Sequence, residues 1–192
     1  DIIMVGEIRD GETAKLAVQA SLTGHLVLAT LHTNNTAGVI PRLIDLGVEK
    51  YLIAPTLNLA IAQRLLRRLC PACKIKSKPN SAEEEIIAGA IGHMPEEVKE
   101  ELPKNFIIHR ASERGCSECS GKTYKGRMAI FEVFEITDEV EKITLSSLSE
   151  AALREEAKRQ GMLTMFQDGI LKVLEGTVSL EELLEVAEVG NA

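Results

Sequence analysis

Short apolar strands alternate with a helix at the opening of this chain, and this alternation strongly limits how it can fold. The run Ile2–Val5 predicts a buried strand that ends at Gly6 and Glu7. Asp10 is placed to cap a following helix, and residues 25–31 predict a second apolar strand. A strand, a helix and a strand in this order indicate an α/β fold with a parallel sheet whose two faces are both covered.

Glu7 stands directly after the first strand. A carboxylate at such a strand tip is typical of the second nucleotide-site element of P-loop ATPases, where it lies near magnesium and the attacking water. An ordinary acid in the loop after a buried strand gives the same pattern, so this segment alone leaves both readings open. Arg9 and Asp10 follow closely; they can form an ion pair, or Asp10 can simply cap the helix.

Two histidines flank the second strand. A histidine at the exit of a sheet strand beside a nucleotide can contact the terminal phosphate, which makes His25 and His32 candidate site residues. The alternative is a loop histidine whose ring is satisfied by backbone carbonyls. The strand holds the two histidines about 20 Å apart, so His25 can be structural even where His32 is not.

The four cysteines form two Cys-x-x-Cys pairs. Cys70 with Cys73, and Cys116 with Cys119, supply four thiolates, which suits tetrahedral structural zinc with no open position for chemistry. The 42 residues between the pairs exceed the commonest zinc-ribbon spacing. Four reduced cysteines without a metal remain an alternative, and a redox pair is less favoured because neither pair opens a helix after a strand.

The character of the sequence changes twice, which predicts three segments. Residues 1–69 have the α/β pattern, residues 70–126 form a small insertion tied by the cysteines, and residues 127–192 begin with the end of a strand and continue as short helices. Within the last segment, Ser179 and Glu182 predict a capping box.

Composition weakens one class of function. The formal net charge is −7 and only 3% of residues are aromatic, which argues against a nucleic-acid-binding surface. No nucleic-acid partner is therefore expected. The longest apolar runs are far shorter than the roughly 20 residues that a membrane-spanning helix needs.

A phosphate-binding loop is imitated near the second cysteine pair. Gly115 precedes Gly121, Lys122 and Thr123, but five residues separate the two glycines where the P-loop pattern has four. Two of those five are cysteines, and a strand follows in place of a helix that could hold phosphate. The chain therefore carries no P-loop.

Taken together, the motifs resemble one family, the ATPases of type II secretion and type IV pilus assembly. The cysteine pairs point to its secretion and pilus-extension branch. The resemblance covers nearly the whole chain, and the motifs that carry it are, in order, VGEIRD, AVQASLTGHLVLATLHTN, IAQRLLRRLCPAC, GCSEC, YKGR and AKRQGMLTMFQDGILKVLEGTVSLEELL.

The resemblance implies an architecture and a role. It implies a partial RecA-like P-loop ATPase core from the Walker B element onward, an inserted four-cysteine zinc module and a C-terminal helical region. The full subunit would bind ATP and Mg²⁺ and work as a homo-hexamer at the cytoplasmic face of the inner membrane. It would couple ATP hydrolysis to protein secretion or pilin polymerisation, with an inner-membrane platform and cytoplasmic secretion or pilus proteins as partners.

The family's functional residues map onto positions of this chain. Glu7 resembles the Walker B glutamate, and His25 and His32 match the histidine box. Arg9 and Asp10 belong to the same motif as Glu7 and are candidate nucleotide-side contacts. The zinc motif of the family is matched by the four cysteines, Cys70, Cys73, Cys116 and Cys119.

One departure from the family affects activity. The P-loop, the acidic box with its catalytic glutamate and the arginines that act across subunits are expected before Asp1. Lysine at the phosphates and Ser/Thr at magnesium are central to this chemistry. We therefore expect this chain alone neither to hydrolyse ATP nor to bind it tightly. A zinc-ribbon protein-binding adaptor without ATPase function is the alternative, and a thiol redox enzyme or metalloenzyme is a second rival.

Overall fold

A computed structural model describes residues 1–103, 105–146 and 148–187. Outside the described residues lie 104, in the predicted segment 70–126, and 147 and 188–192, in the predicted segment 127–192. In chain order the elements are β1 (Ile2–Ile8), α1 (Gly11–Leu22), β2 (Leu26–Leu31), α2 (Val39–Asp45), α3 (Lys50–Ile53), β3 (Leu59–Leu69), β4 (Ile75–Ser77), α4 (Ser81–Gly92), α5 (Glu96–Glu100), β5 (Ile108–Arg110), a 3₁₀ turn (Ser117–Cys119), β6 (Tyr124–Glu135), α6 (Asp138–Ser146), α7 (Glu150–Arg159), α8 (Met165–Leu174) and α9 (Leu180–Val186).

The chain divides into two compact units. The first contains Asp1–Ala62 and Val133–Met162, and the second contains Gln63–Glu132 and Leu163–Ala192. Strands β3 and β6 pair with each other and contribute residues to both units. These units do not coincide with the three segments predicted from sequence character, and that three-part division stays a prediction.

The first unit is built on the parallel pair β1–β2, with α1 as the connection. The Asp10 side chain accepts a hydrogen bond from the Thr13 N–H at 2.8 Å, which confirms the predicted cap of α1. Ala14 and Val18 on this helix are buried. The buried core of the unit also includes residues from the other elements: Ile8, Ala37, Ile40, Leu43, Val48, Ile53, Ala60, Phe134, Val140, Leu153 and Ala157.

One face of the β1–β2 pair is open among the described residues. Ile2 pairs with Leu26 and Met4 pairs with Leu28, so all four side chains point to the same face. They are between 46% and 78% exposed. The prediction of a sheet covered on both faces is therefore wrong for this part of the chain, because α1 and the core of the unit cover only one side.

The second unit places its own core between β3, β6 and the helices that follow each cysteine pair. Its fully buried side chains include large aliphatic residues from α4, β5, α8 and α9. The buried members are Leu66, Ile87, Met94, Ile108, Ile130, Phe166, Ile170, Val173, Val178, Leu180, Leu183 and Ala187.

Helix α9 begins differently from its predicted capping box. The Ser179 hydroxyl accepts the Glu182 N–H at 3.3 Å, as expected. The Glu182 carboxylate does not return to Ser179; it accepts the Arg67 backbone N–H at 2.8 Å and the Arg67 Nε–H at 2.6 Å. The reciprocal half of the box is therefore replaced by an ion pair with β3. Burial acts to raise the pKa of Glu182, but the Arg67 hydrogen bonds outweigh it and hold that pKa below its ordinary value.

We expect Glu182→Gln to lower the free energy of unfolding by about 1–3 kcal/mol, because a charged acceptor of two hydrogen bonds is lost at a buried position. Urea denaturation at pH 7 measures the change. Glu185→Gln is the matched control, since Glu185 lies 3.5 Å from the same guanidinium but is 69% exposed; its change should stay below about 1 kcal/mol. Equal effects of the two substitutions would contradict this account.

The helices within the described ranges are all too short or too polar to cross a membrane.

Candidate functional site

A β-bulge positions Glu7 at the carboxyl end of β1. Val5 pairs with Ala29, but Ile8 pairs with Leu31, so β1 carries one residue more than β2 between these two pairs. Such a bulge breaks the alternation of the strand and redirects a side chain. The Thr30 hydroxyl donates to the Gly6 carbonyl at 2.5 Å and ties the two strands together at this point. The end of β1 is thereby fixed against β2 next to Glu7.

The Glu7 carboxylate contacts two neighbouring side chains. One oxygen lies against the Arg9 Nε and the other against the His32 Nε2. The Glu7 side chain is 20% exposed, whereas the side chains of Arg9 and His32 are 75% and 77% exposed. The structure thus brings three of the predicted site residues together at the edge where both parallel strands end, open to solvent on the side of Arg9 and His32.

His25 and Asp10 lie apart from this group in their contacts. The His25 Nδ1 is 3.1 Å from the Ala20 carbonyl and 3.2 Å from the Thr23 hydroxyl, at the turn that precedes β2. Glu7 is at the opposite end of the strand pair. Asp10 caps α1, and the hydrogen bond from the Thr13 backbone lowers the pKa of Asp10. The structure therefore does not bring either side chain to the Glu7 carboxylate.

The four cysteine sulphurs form a compact cluster in the second unit. The Sγ atoms all lie within 4.8 Å of one another, and all four cysteines are unbridged. Cys70 to Cys116, Cys73 to Cys119 and Cys116 to Cys119 are each 3.8 Å between sulphurs. Four sulphurs bound to zinc at about 2.3 Å in a tetrahedron stand roughly 3.8 Å apart. The four sulphurs and the distances between them therefore fit a tetrahedral zinc ion. The same distances exceed the length of a disulfide bond.

Tight backbone turns hold the second cysteine pair in place. Gly115 has a φ of +65°, and a Cβ atom there would lie 2.6 Å from the carbonyl carbon of Gly121. Only glycine permits this approach of the two backbone segments. The Gly121 N–H in turn donates to the Cys116 carbonyl at 3.0 Å. The glycines that imitate a P-loop in the sequence therefore shape the cysteine turn.

The surroundings of Cys119 and Cys73 shift the pKa values of their thiols in opposite directions. The Cys116 backbone N–H donates to the Cys119 sulphur at 3.2 Å and lowers the pKa of Cys119 to about 6. A hydrogen bond with Ser112 acts to lower the pKa of Cys73, but burial and the three neighbouring sulphurs outweigh it and raise that pKa to about 12. Four neighbouring thiolates repel one another, and a bound cation would relieve this repulsion.

Sequence reasoning missed the bulge and Thr30. Gly6 was the available signal, because an isolated glycine inside a strand pattern often marks a bulge. Thr30 carried no signal of its own, since a threonine inside an apolar strand is common.

Solved structures of an ATPase and of a pilus retraction motor resemble this fold. The ATPase DotB of Legionella pneumophila superposes with a TM-score of 0.58 and 23% identity over 96% of this chain and 37% of its own. The pilus retraction motor PilT, solved with bound ADP, gives a TM-score of 0.60 and 22% identity over 100% of this chain and 40% of its own. This chain therefore shares its fold with part of each of these two proteins.

The family is established by sequence. The model of the family described as "Type II/IV secretion system protein" matches residues 1–185, and the chain belongs to this family. The type IV pilus assembly ATPase PilB of Myxococcus xanthus is 42% identical over 96% of this chain. The type II secretion system ATPase E of Vibrio cholerae is 41% identical over 98% of it. The resemblance seen in the motifs is thereby confirmed.

The matched part is a fraction of each relative. The chain spans 31% of the Myxococcus xanthus protein and 35% of the Vibrio cholerae protein. It therefore spans about a third of the length of these relatives.

Proposed function

We propose that this chain supplies the carboxylate and histidine side of the nucleotide site in an ATPase of type II secretion or type IV pilus assembly. The observation that carries the proposal is the Glu7 carboxylate, set by a bulge at the carboxyl end of β1 and in contact with Arg9 and His32. Ligands of open parallel sheets bind at this edge. The names of the relatives support the same activity.

Each residue of this group has a proposed role in phosphoryl transfer. Glu7 orients the attacking water and holds the water shell of Mg²⁺, which when bound would neutralise charge on the phosphates. His32, directly after β2, donates to the terminal phosphate and reports whether it is present. Arg9 holds the Glu7 carboxylate in place and balances its charge. Asp10 supports the group indirectly, because it caps the helix that begins three residues after Ile8.

His25 fits a structural role better than a direct one. Its ring is held by the turn between α1 and β2, at the end of β2 that lies away from Glu7. We propose that it fixes this turn and thereby the start of β2, the strand that His32 follows.

The cysteine cluster is proposed to hold one structural zinc ion. Cys70, Cys73, Cys116 and Cys119 would each contribute a thiolate, which leaves no open position for a substrate. The zinc ion would join the end of β3 to the start of β6 and so stabilise the segment 70–126.

For the whole protein we propose the role that the family resemblance implies. It would act as a homo-hexamer in the cytoplasm, peripheral at the inner membrane, with a membrane platform and cytoplasmic secretion or pilus proteins as partners. ATP hydrolysis would drive protein secretion or pilin polymerisation. Nucleic acid is not proposed as a partner, since the net charge is −7.

This chain by itself should show no Mg²⁺-dependent ATP hydrolysis and no tight ATP binding, because its sequence holds no P-loop to supply the phosphate-binding lysine. Phosphate release from ATP and calorimetric titration with ATP measure both properties. The full-length protein, assayed beside it, is the positive control. Hydrolysis by the purified chain that Glu7→Gln abolishes would overturn the expectation of inactivity.

A further inference from the structure

His109 is a histidine that the nucleotide site and the cysteine cluster do not use. It lies on β5, directly opposite Lys76 in the antiparallel β4–β5 pair. Its Nδ1 atom is buried and has no hydrogen-bond partner among the residues that the structure describes. Burying a polar nitrogen without a partner is unfavourable, and it is more unfavourable when that nitrogen carries a proton and a charge.

The ring of His109 packs against the turn between α8 and α9. Gly176 lies in this turn with a φ of +73°, and its Cα is so close that an added Cβ would overlap the imidazole ring. The same turn is tied to the first cysteine pair by two hydrogen bonds. The Lys74 Nζ donates to the Gly176 carbonyl at 2.7 Å, and the Leu69 N–H donates to the Thr177 carbonyl at 2.9 Å.

The charges around His109 are unfavourable to an imidazolium. Burial first, and then Lys74 and Lys76, hold the pKa of His109 below its ordinary value. Glu175, at the end of α8, is exposed. The other carboxylates of the elements beside β5 already have basic partners, namely Asp168 with Lys172, Glu181 with Arg110, and both Glu182 and Glu185 with Arg67.

We propose that His109 is a proton-sensitive latch, which holds the α8–α9 turn against the β4–β5 pair while its ring is neutral and releases the turn when the ring is protonated. Protonation places a third positive charge beside Lys74 and Lys76, and the charged ring carries a proton on Nδ1, for which the described residues provide no acceptor. The turn that opens is the one that Lys74 and Leu69 hold, so release reaches the residues on both sides of Cys70.

The direction of the pH effect follows from linkage. Because the folded pKa of His109 is lowered, the unfolded or open form binds more protons in acid. The stabilisation is fully present above the ordinary histidine pKa of about 6.5 and is lost as the pH falls below it.

Hydrogen exchange followed by NMR tests the latch on the zinc-loaded chain. The Gly176 and Thr177 amides are expected to open more often as the pH falls from about 7 to 5.5, by at most about tenfold per pH unit after correction for intrinsic exchange. His109→Phe keeps a planar ring and removes the titration, so it should abolish this dependence. His93→Gln is the matched control, because His93 is an exposed histidine of the same unit, and it should leave the dependence unchanged.

Zinc content measured at each pH separates release of the turn from loss of the metal, since metal loss would affect wild type and variants alike. A second measurement covers the case in which His109→Phe does not fold. In the wild type the imidazole of His109 should titrate below the ordinary histidine pKa of about 6.5, and Lys76→Met should move the His109 midpoint upward. A His109 midpoint at or above that ordinary value, or a pH dependence that survives in His109→Phe, overturns the proposal.

Discussion

Glu7→Gln in the full-length protein is expected to lower the turnover number for ATP by about 10²- to 10⁴-fold, the usual loss when a positioned acid or base is removed. Glutamine keeps the size of the side chain and removes the charge that contacts Arg9 and His32. The loss should appear in the turnover number rather than in nucleotide affinity, because the P-loop carries most of the phosphate binding. Phosphate release at saturating Mg²⁺ and ATP, with ATP binding measured separately, distinguishes the two.

Glu12→Gln provides the matched control for Glu7→Gln. Glu12 is an exposed glutamate in the first turn of α1, five residues further along the same segment, so the substitution makes the same change in charge. Its turnover should remain within about twofold of the wild type. Turnover that is unchanged in Glu7→Gln, or equally reduced in both variants, would remove the proposed role of Glu7.

The sequence predicts the parts of this fold that depend on local chemistry. Asp10 caps α1, and the four cysteines meet because paired thiols with tight turns are a strong local signal. These features need only a few neighbouring residues, or one ligand chemistry, to be recognised.

Contacts between distant parts of the chain could not be predicted in the same way. Ser179 and Glu182 have the residue types of a capping box. The Glu182 carboxylate, however, accepts hydrogen bonds from Arg67, which lies 115 residues away in the chain. The bulge at Gly6 and Glu7 depends on the register with β2, which a single strand does not reveal. The sequence therefore predicts the residue types of the site but not the direction in which the Glu7 side chain points.

Removing the zinc ion proposed for the cysteine cluster is expected to unfold residues 70–126 cooperatively. A structural zinc ion contributes on the order of 10 kcal/mol to a small module. The described residues of the segment form the 3₁₀ turn, two strands of three residues, the helices α4 and α5 and the first three residues of β6. Without the metal, the four thiols are still neighbours, but no zinc–sulphur bonds join the two cysteine pairs. Circular dichroism and thermal melting before and after chelation measure the loss, and restoration on adding zinc tests whether it is reversible.

Cys70→Ser gives the same test without a chelator. Cys70 is fully buried and its sulphur is 3.8 Å from that of Cys116, so serine removes one ligand at the centre of the cluster. The expected result is a loss of the one zinc ion per chain and a lower melting temperature. Ser120→Ala is the matched control for a side-chain change beside the cluster. Ser120 directly follows Cys119, is exposed, and is not one of the four residues of the cluster. Unchanged melting after complete metal removal, or an X-ray absorption spectrum without four sulphur ligands, would contradict a structural zinc site.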